Sequence, residues 1–304
     1  MILRRLAQSL AVLLGVALMI FVMLRIVPGN PIESMMGEHA DQATVARMTA
    51  EMGLDRPVPE QFVRYLASAF SGDFGTSYVL GRPVAELMGG AFGNTLILAL
   101  FAALFAWVVG LGCGILSAVH RNRLPDRIFM GFSLLGISLP VFMAAMFLQY
   151  VFAFRLKWFP VSGTGSWQSF VLPATALGWN SAGQVAQMTR ISLLETLGED
   201  FIETARAKGR GTAGVVLVHA LRCAMLPVMT VMIIQLSGLL SGAVITETVF
   251  SINGLGRLMV QAISGRDIPL LQATALFATA VVVLGNLAAD LLYAVLDPRI
   301  RKGA

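Results

Sequence analysis

Apolar positions run through this chain in long blocks. Six are long enough to cross the hydrocarbon of a bilayer as helices, which takes roughly 20 residues for about 30 Å. They lie near 6–27, 94–119, 128–153, 171–189, 225–249 and 269–293, and the second and third carry no charge. The fourth differs, because Trp179, Asn180, Ser181, Gln184 and Gln187 make one side of it polar. Lipid offers such a side no partners, so it must face protein or a watery path. Asn180, Gln184 and Gln187 are therefore candidate pathway-lining residues. Pro140 predicts a kink in the third block. Gly110 with Gly114, and Gly238 with Gly242, have the spacing that lets helices of one chain pack closely.

The first block follows a charged start, "MILRRLAQ", as in a signal peptide. No small-x-small site follows it, since Arg25, Val27 and Pro28 occupy that region, so a retained first span is expected. The connection at 28–93 is too long for a turn. "ADQATVARMTAEMGL" and "PEQFVRYLASAF" have helical apolar spacing, punctuated by Pro57, Pro59 and the Gly-Asp-Phe-Gly run at 72–75. The expected organisation is a first transmembrane helix at 1–27, an external subdomain at 28–93 and a five-helix core at 94–304. A second connection, 247–269, is too long for a turn and too polar for a span. Its "GRLMVQAI" predicts a short helix with Leu258, Met259 and Ile263 inward and Arg257, Gln261 and Ser264 toward water. Gly254 and Gly256 would permit a sharp turn into it. Gly254, Gly256, Gln261, Arg266 and Asp267 are candidates for an external gate, with an inert interfacial helix as the alternative.

Composition agrees with the pattern. Hydrophobic residues are 57% of the chain, charged residues 13%, and the mean hydropathy is +0.77. A soluble domain carries about 25% charged residues, so the expected class is an all-α integral membrane protein. The net charge of +5 comes from scattered basic residues without interleaved aromatics, which argues for membrane orientation and against nucleic acid. One set of short connections and termini holds thirteen basic residues: Arg4, Arg5, Arg121, Arg123, Arg127, Arg190, Arg206, Lys208, Arg210, Arg222, Arg299, Arg301 and Lys302. The opposite set holds four, Arg155, Lys157, Arg257 and Arg266, which puts both termini in the cytoplasm.

Enzyme chemistry finds little support. No Gly-Lys pair exists for a phosphate loop, and there is no GxSxG, HExxH or paired carboxylate set. Cys113 and Cys223 read as reduced packing thiols, and His120 and His219 are isolated. His39, near Met35, Met36 and Glu38, reads as a solvated loop histidine before it reads as a metal ligand. Glu247 and Asp290 lie toward span ends, where reaching water is cheap, so a proton relay is not expected.

The polar exception is Glu199–Arg210, with six charges in twelve residues. As a helix over 199–208 it puts Phe201, Ile202 and Ala205 on one face and Glu199, Glu203, Arg206 and Lys208 around the rest. Glu203 and Arg206 are spaced to pair, and Gly209 is a natural helix end. Pro227 opens the next span. Physics alone leaves two readings, a docking helix on the cytoplasmic face or an amphipathic loop without a partner.

"ETARAKG", Glu203 to Gly209, resembles the EAA…G loop of binding-protein-dependent ABC transporter permeases, with Thr204 in place of its second residue. "HALRCAMLPV" at 219–228 is similar to the longer form of the dipeptide/oligopeptide/nickel subfamily. So are "RIVPGNP" (25–31), "GLDRPVPEQF" (53–62), "GDFGTSY" (72–78), "RPV" (82–84), "RNRLPDR" (121–127), "ETVFSINGLGRL" (247–258) and "RDIP" (266–269). Asn253, Ile268 and Asn94 depart from a common Pro, Tyr and Pro. The resemblance implies six transmembrane helices and a coupling helix, with Glu203, Thr204, Ala205, Lys208 and Gly209 in the contact to an ATPase, where Glu203 supplies charge and Ala205 keeps it close. It further implies a second homologous permease, two cytoplasmic ATPases that hold ATP and Mg, and an external substrate-binding protein. The bacterial inner membrane is the implied location. No catalytic, cofactor or metal residue is assigned to this chain. The implied cargo is a dipeptide or oligopeptide, with glutathione or a nickel or metal chelate as alternatives within the family. A secondary transporter working without ATP is the alternative outside it.

Overall fold

A backbone in hydrocarbon has no solvent to bond its N–H and C=O groups, so apolar runs close those bonds internally as helices. The computed structural model of the chain describes residues 2–26, 49–50, 55–241 and 243–296. Outside them lie residues 27–48 with His39 and its neighbours, residues 51–54, Gly242, Arg299, Arg301 and Lys302, together with the side chains of Arg4, Arg5 and Asp290. Among the described residues there is no strand, only the isolated antiparallel bridge of Thr76 with Pro83.

The chain divides into two compact units, Met1–Asn94 with Asn253–Leu284, and Thr95–Ile252 with Gly285–Ala304. Residues 253–284 thus group with the N-terminal part, so that unit is discontinuous in sequence.

In the first unit, helix α1 (Ile2–Ile26) meets α2 (Val58–Ser71). Phe21 is one contact, edge-on to Phe62 at 5.1 Å, with the Arg25 guanidinium 3.5 Å from its ring centre, and Arg25 Nη2 donates to Gln61 Oε1. Helix α3 (Val84–Val119) begins ten residues before the predicted span and runs through both units. Its first turns carry Val84, Met88 and Ala91 into a core completed by later helices of the unit.

In the second unit, α4 (Leu124–Ser138) and α5 (Val141–Leu148, continued by a π-helical stretch Gln149–Arg155) meet at an angle of 109°. The predicted kink is a break. Leu139 is extended, as the residue before a proline prefers, and Pro140 has no N–H to continue the ladder. Helix α6 (Val171–Thr196) is the centre of this unit, with fourteen buried residues. Glycines make that possible. A side chain at Gly110 or Gly114 on α3 would collide with Val185 or Thr189, so this spacing does serve packing within the chain. A Cβ added at Gly238 would have nothing within 4 Å, so that side of its helix shows no such packing.

After α6 come α7 (Asp200–Ala207), a short turn at Thr212–Gly214, a π-helical stretch Val215–Ala220 and α8 (Leu221–Ser241). Pro227 lies inside α8 and does not open it, because losing one donor does not stop a run that is helical from Thr212 onward. The predicted 225–249 span is also interrupted, with α9 (Val244–Val249) separate from α8. Helices α10 (Leu255–Ser264) and α11 (Ile268–Leu296) follow.

Among the described residues, four helical segments are long and apolar enough to cross a membrane: Leu6–Ile26, Val84–Val119, Thr212–Leu240 and Ile268–Ala288. The bent α4–α5 pair makes a fifth if it is one span. Helix α6, about 39 Å long at 1.5 Å per residue, is long enough but too polar to join them.

Candidate functional site

Helix α7 has eight residues, too few to be stable without packing. Two side chains supply it. Ile202 is fully buried and Ala205 nearly so, in a cluster with Leu193, Val215, Val216 and Ala220. Full burial of an Ile side chain is worth about 1.5–3 kcal/mol, so this short helix is anchored mainly by one residue. Asp200 and Glu203 lie in its first turn, where negative charge suits the helix dipole. Gly209 ends it at φ 77°, a left-handed conformation that costs a side-chain-bearing residue energy.

Two expectations change here. Phe201 is 43% exposed and does not share the inner face of Ile202. Consecutive residues of a helix are about 100° apart, and α7 packs along a side narrow enough that only Ile202 of the pair is covered. Ala205 packs inward, so its small side chain closes the contact with the chain's own core. Glu203, Thr204, Lys208 and Gly209 are exposed, and Glu203 and Arg206 do not pair.

The predicted polar side of α6 divides, since Ser181 is buried. Gln184 is exposed and Asn180 and Gln187 are half-buried, while the flanking Ser181, Ala182, Gly183, Val185 and Ala186 are buried. Asn180 Nδ2 donates to the Ile137 carbonyl at 3.2 Å, a group that the break before Pro140 leaves without a helical partner. Gln184 Nε2 donates to Asn180 Oδ1 at 2.8 Å. Gln235 of α8 joins them, donating to the Ser181 carbonyl at 3.2 Å and to Gln184 Oε1 at 3.3 Å. Gln187 makes no such bond.

A charge pair that the basic-residue count conceals closes the same unit. Arg190 grips Asp126 with two bonds, Nε to Oδ1 and Nη2 to Oδ2, both 2.9 Å. Ser117 Oγ also donates to Oδ1, and the Asn122 backbone N–H to Oδ2 at 2.8 Å. The carboxylate thus ties α3, the following turn, α4 and α6 at the end of α6 from which α7 hangs. The signal in sequence is an acid within a basic connection, "RNRLPDR". Glu247 is a second correction. It does not reach for water but is fully buried, accepting from Thr95 Oγ1 at 2.6 Å.

In the first unit the candidate gate residues separate into different roles. Helix α10 forms as predicted and buries Leu255, Leu258 and Ala262, but Ile263 is exposed. The sharp turn falls on Ser251, at φ 53°, just ahead of this unit, whereas Gly254 is extended at φ −102°, a conformation open to any residue. Asp267 is 1% exposed. Its Oδ2 accepts from Ser77 Oγ and from the Val79 N–H at 3.3 Å, and its Oδ1 from the Leu270 N–H at 3.3 Å, at the start of α11. Burial first, and then this carboxylate, raise the pKa of the Tyr78 hydroxyl. Asp267 is a clasp between the 77–79 turn and α11, while Gln261 and Arg266 face outward. Asn94 Nδ2 donates to the Asn253 carbonyl at 2.9 Å, so two positions that depart from the family pattern meet each other.

Comparison with known proteins bears on all these elements. The description "Binding-prot-dependent transport system membrane comp, N-term" matches residues 1–110, and "Binding-protein-dependent transport system inner membrane component" matches 110–302. The chain is 42% identical over 300 residues to the glutathione transport system permease protein GsiC of Salmonella paratyphi A, covering 99% of this chain and 98% of that one. Identity to GsiC of Escherichia coli K12 is 40% over the same coverage. The fold is similar to that of the MetNI methionine ABC transporter in an inward-facing conformation (TM-score 0.59, 20% identity, 70% of this chain and 97% of that chain). A similar match is an amino acid ABC transporter crystallised with histidines (TM-score 0.55, 16% identity, 69% and 94%). The chain belongs to the binding-protein-dependent transport system inner membrane components, and is the multi-pass, non-catalytic permease component of an ABC importer whose ATP is hydrolysed by separate subunits.

Proposed function

We propose that this permease forms half of an alternating-access pathway for a peptide-type substrate, with glutathione the first candidate. Permeases of this family work with ATPases, another permease and a substrate-binding protein. For this chain the partners are a second homologous permease, two cytoplasmic ATPases carrying ATP and Mg, and an external binding protein. The substrate reading is supported by the 42% identity to a glutathione transport permease along nearly the entire chain. In this reading six spans, α6 among them, leave both termini on one side, and the excess of basic residues in the short connections of that side makes it the cytoplasm, with α7 there and residues 28–93 outside.

The observation that carries the coupling role is the posture of α7. It is fixed to its own unit by Ile202 and Ala205 while Glu203, Thr204, Lys208 and Gly209 face outward. A rigid, charged, outward-facing helix at the end of α6 transmits ATPase movement as a displacement of membrane helices. Glu203→Lys leaves the inner face untouched and reverses the outer one, and Gly209→Pro forces φ from 77° to about −65°. Both variants are expected to insert and assemble but to lose most ATP-driven uptake, measured beside ATP hydrolysis in proteoliposomes. Normal uptake in both would reduce α7 to a passive loop.

Sidedness has its own test. Ser77 is buried, so a cysteine there would report burial; Asp73 and Arg123 are exposed and serve instead. In a background lacking Cys113 and Cys223, a cysteine at Asp73 is expected to react with an impermeant thiol reagent from outside, and one at Arg123 only after permeabilisation. The reverse pattern would invert the topology.

A further inference from the structure

Asn180, Gln184 and Gln235 form a chain of carboxamides whose polarity is fixed. The Ile137 and Ser181 backbone carbonyls can only accept, so the amide nitrogens of Asn180 and Gln235 must point at them. Each amide then donates along the same sense, Gln235 to Gln184, Gln184 to Asn180, Asn180 to Ile137. The chain begins at Gln235 Oε1, which is buried and accepts no hydrogen bond. A buried acceptor left empty is costly, and the cost is relieved by any state that brings it a donor. Turning the Gln235 amide over offers no relief, since oxygen would then face the Ser181 carbonyl.

We propose that this carboxamide relay is a substrate-reading element of the pathway and that Gln235, on α8, is its specificity-determining residue, accepting a main-chain amide N–H of the substrate through Oε1. The inference rests on the proposed peptide-type cargo and on the α6 stripe lining the path. Gln184 and Asn180 each retain one N–H and one lone pair, the pattern that a peptide bond itself presents. The relay holds no carboxylate, which an ammonium group would call for, so it reads amides and not chain-end charge. Because Oε1 is shut off in this conformation, it meets a donor only when α8 shifts against α6. A ligand that binds one state better in this way draws the protein toward that state.

The test uses the complete transporter in proteoliposomes, with the binding protein saturated. Three labelled probes are compared: glutathione, its analogue with sarcosine in place of glycine, and its analogue N-methylated at the cysteine nitrogen. In the wild type, at least one methylated probe is expected to move several-fold more slowly, up to about tenfold, the worth of one neutral hydrogen bond. Gln235→Met should slow glutathione to that level and leave the affected analogue unchanged, while recovery of the intact complex by size-exclusion chromatography shows that the variant folds and assembles. Equal wild-type rates for all three probes would overturn the relay without needing any variant. So would a Met variant that slows all three alike, since that is loss of packing and not of recognition. A wild-type complex that moves none of them overturns the cargo reading on which the relay rests, and this outcome is distinct from equal transport.

Discussion

Arg190→Met is expected to destabilise the permease by about 3 kcal/mol. Breaking one side of a buried ion pair costs about 3–5 kcal/mol, because the remaining charge stays buried without compensation. The lower end applies, since the Arg190 side chain keeps 25% of its exposure and that of Asp126 only 6%. With the guanidinium gone, Asp126 retains Ser117 Oγ and the Asn122 N–H but loses both charged donors. The variant should unfold at a markedly lower temperature in detergent. Arg190→Met with Asp126→Leu should recover much of the loss, because a pair removed whole leaves no stranded charge. No change in the single variant, or a double variant as weak as it, would mean that the pair is a surface contact.

The second large effect comes from a single methyl group. Gly183→Ala would place its Cβ 2.4 Å from the Ser133 carbonyl oxygen, and Gly136→Ala 2.2 Å from Trp179 Cδ1 and 2.8 Å from the Trp179 carbonyl. Backbone cannot step aside as a flexible side chain does, so α4 and α6 must separate. Overpacking of this kind costs about 1–3 kcal/mol, occasionally more. Separation would also stretch the Asn180 bond to Ile137 and unstack Trp179 from Phe132, now 5.0 Å apart between ring centres. Gly131 on α4 and Gly112 on α3 have nothing within 4 Å, so alanine there should be silent or slightly stabilising through helix propensity. Folded yield and unfolding temperature should fall for positions 136 and 183 and hold for 112 and 131. Four variants behaving alike would show that the close approach of α4 and α6 is not what holds them.

Sequence pattern reaches the elements whose cause is local. Apolar runs locate α1, α3 and α11, and the charges of 199–210 with Gly209 locate α7 to within a residue at each end. The polar side of α6 is legible because lipid excludes it. What escapes depends on partners far along the chain. Gln235 looks like any other polar residue in "VMIIQLSGLL" until α8 lies against Ser181 and Gln184. Asp126 counts as a mere exception among arginines until Arg190, 64 residues on, closes on it. Ala205 is expected to keep the ATPase contact close, yet its small side chain closes a contact within its own unit, and sequence does not say which of the two is tight. Propensity gives the sharp turn to Gly254 and Gly256, yet the fold puts left-handed backbone at Ser251.

The most direct test of the importer reading is uptake by the purified complex of this chain with the proposed second permease and ATPases, reconstituted with the proposed binding protein outside and nucleotide supplied to the ATPases. Accumulation of labelled glutathione against its gradient is expected with ATP, and none with a non-hydrolysable analogue or without the binding protein. Uptake by this chain alone, indifferent to ATP, would contradict it.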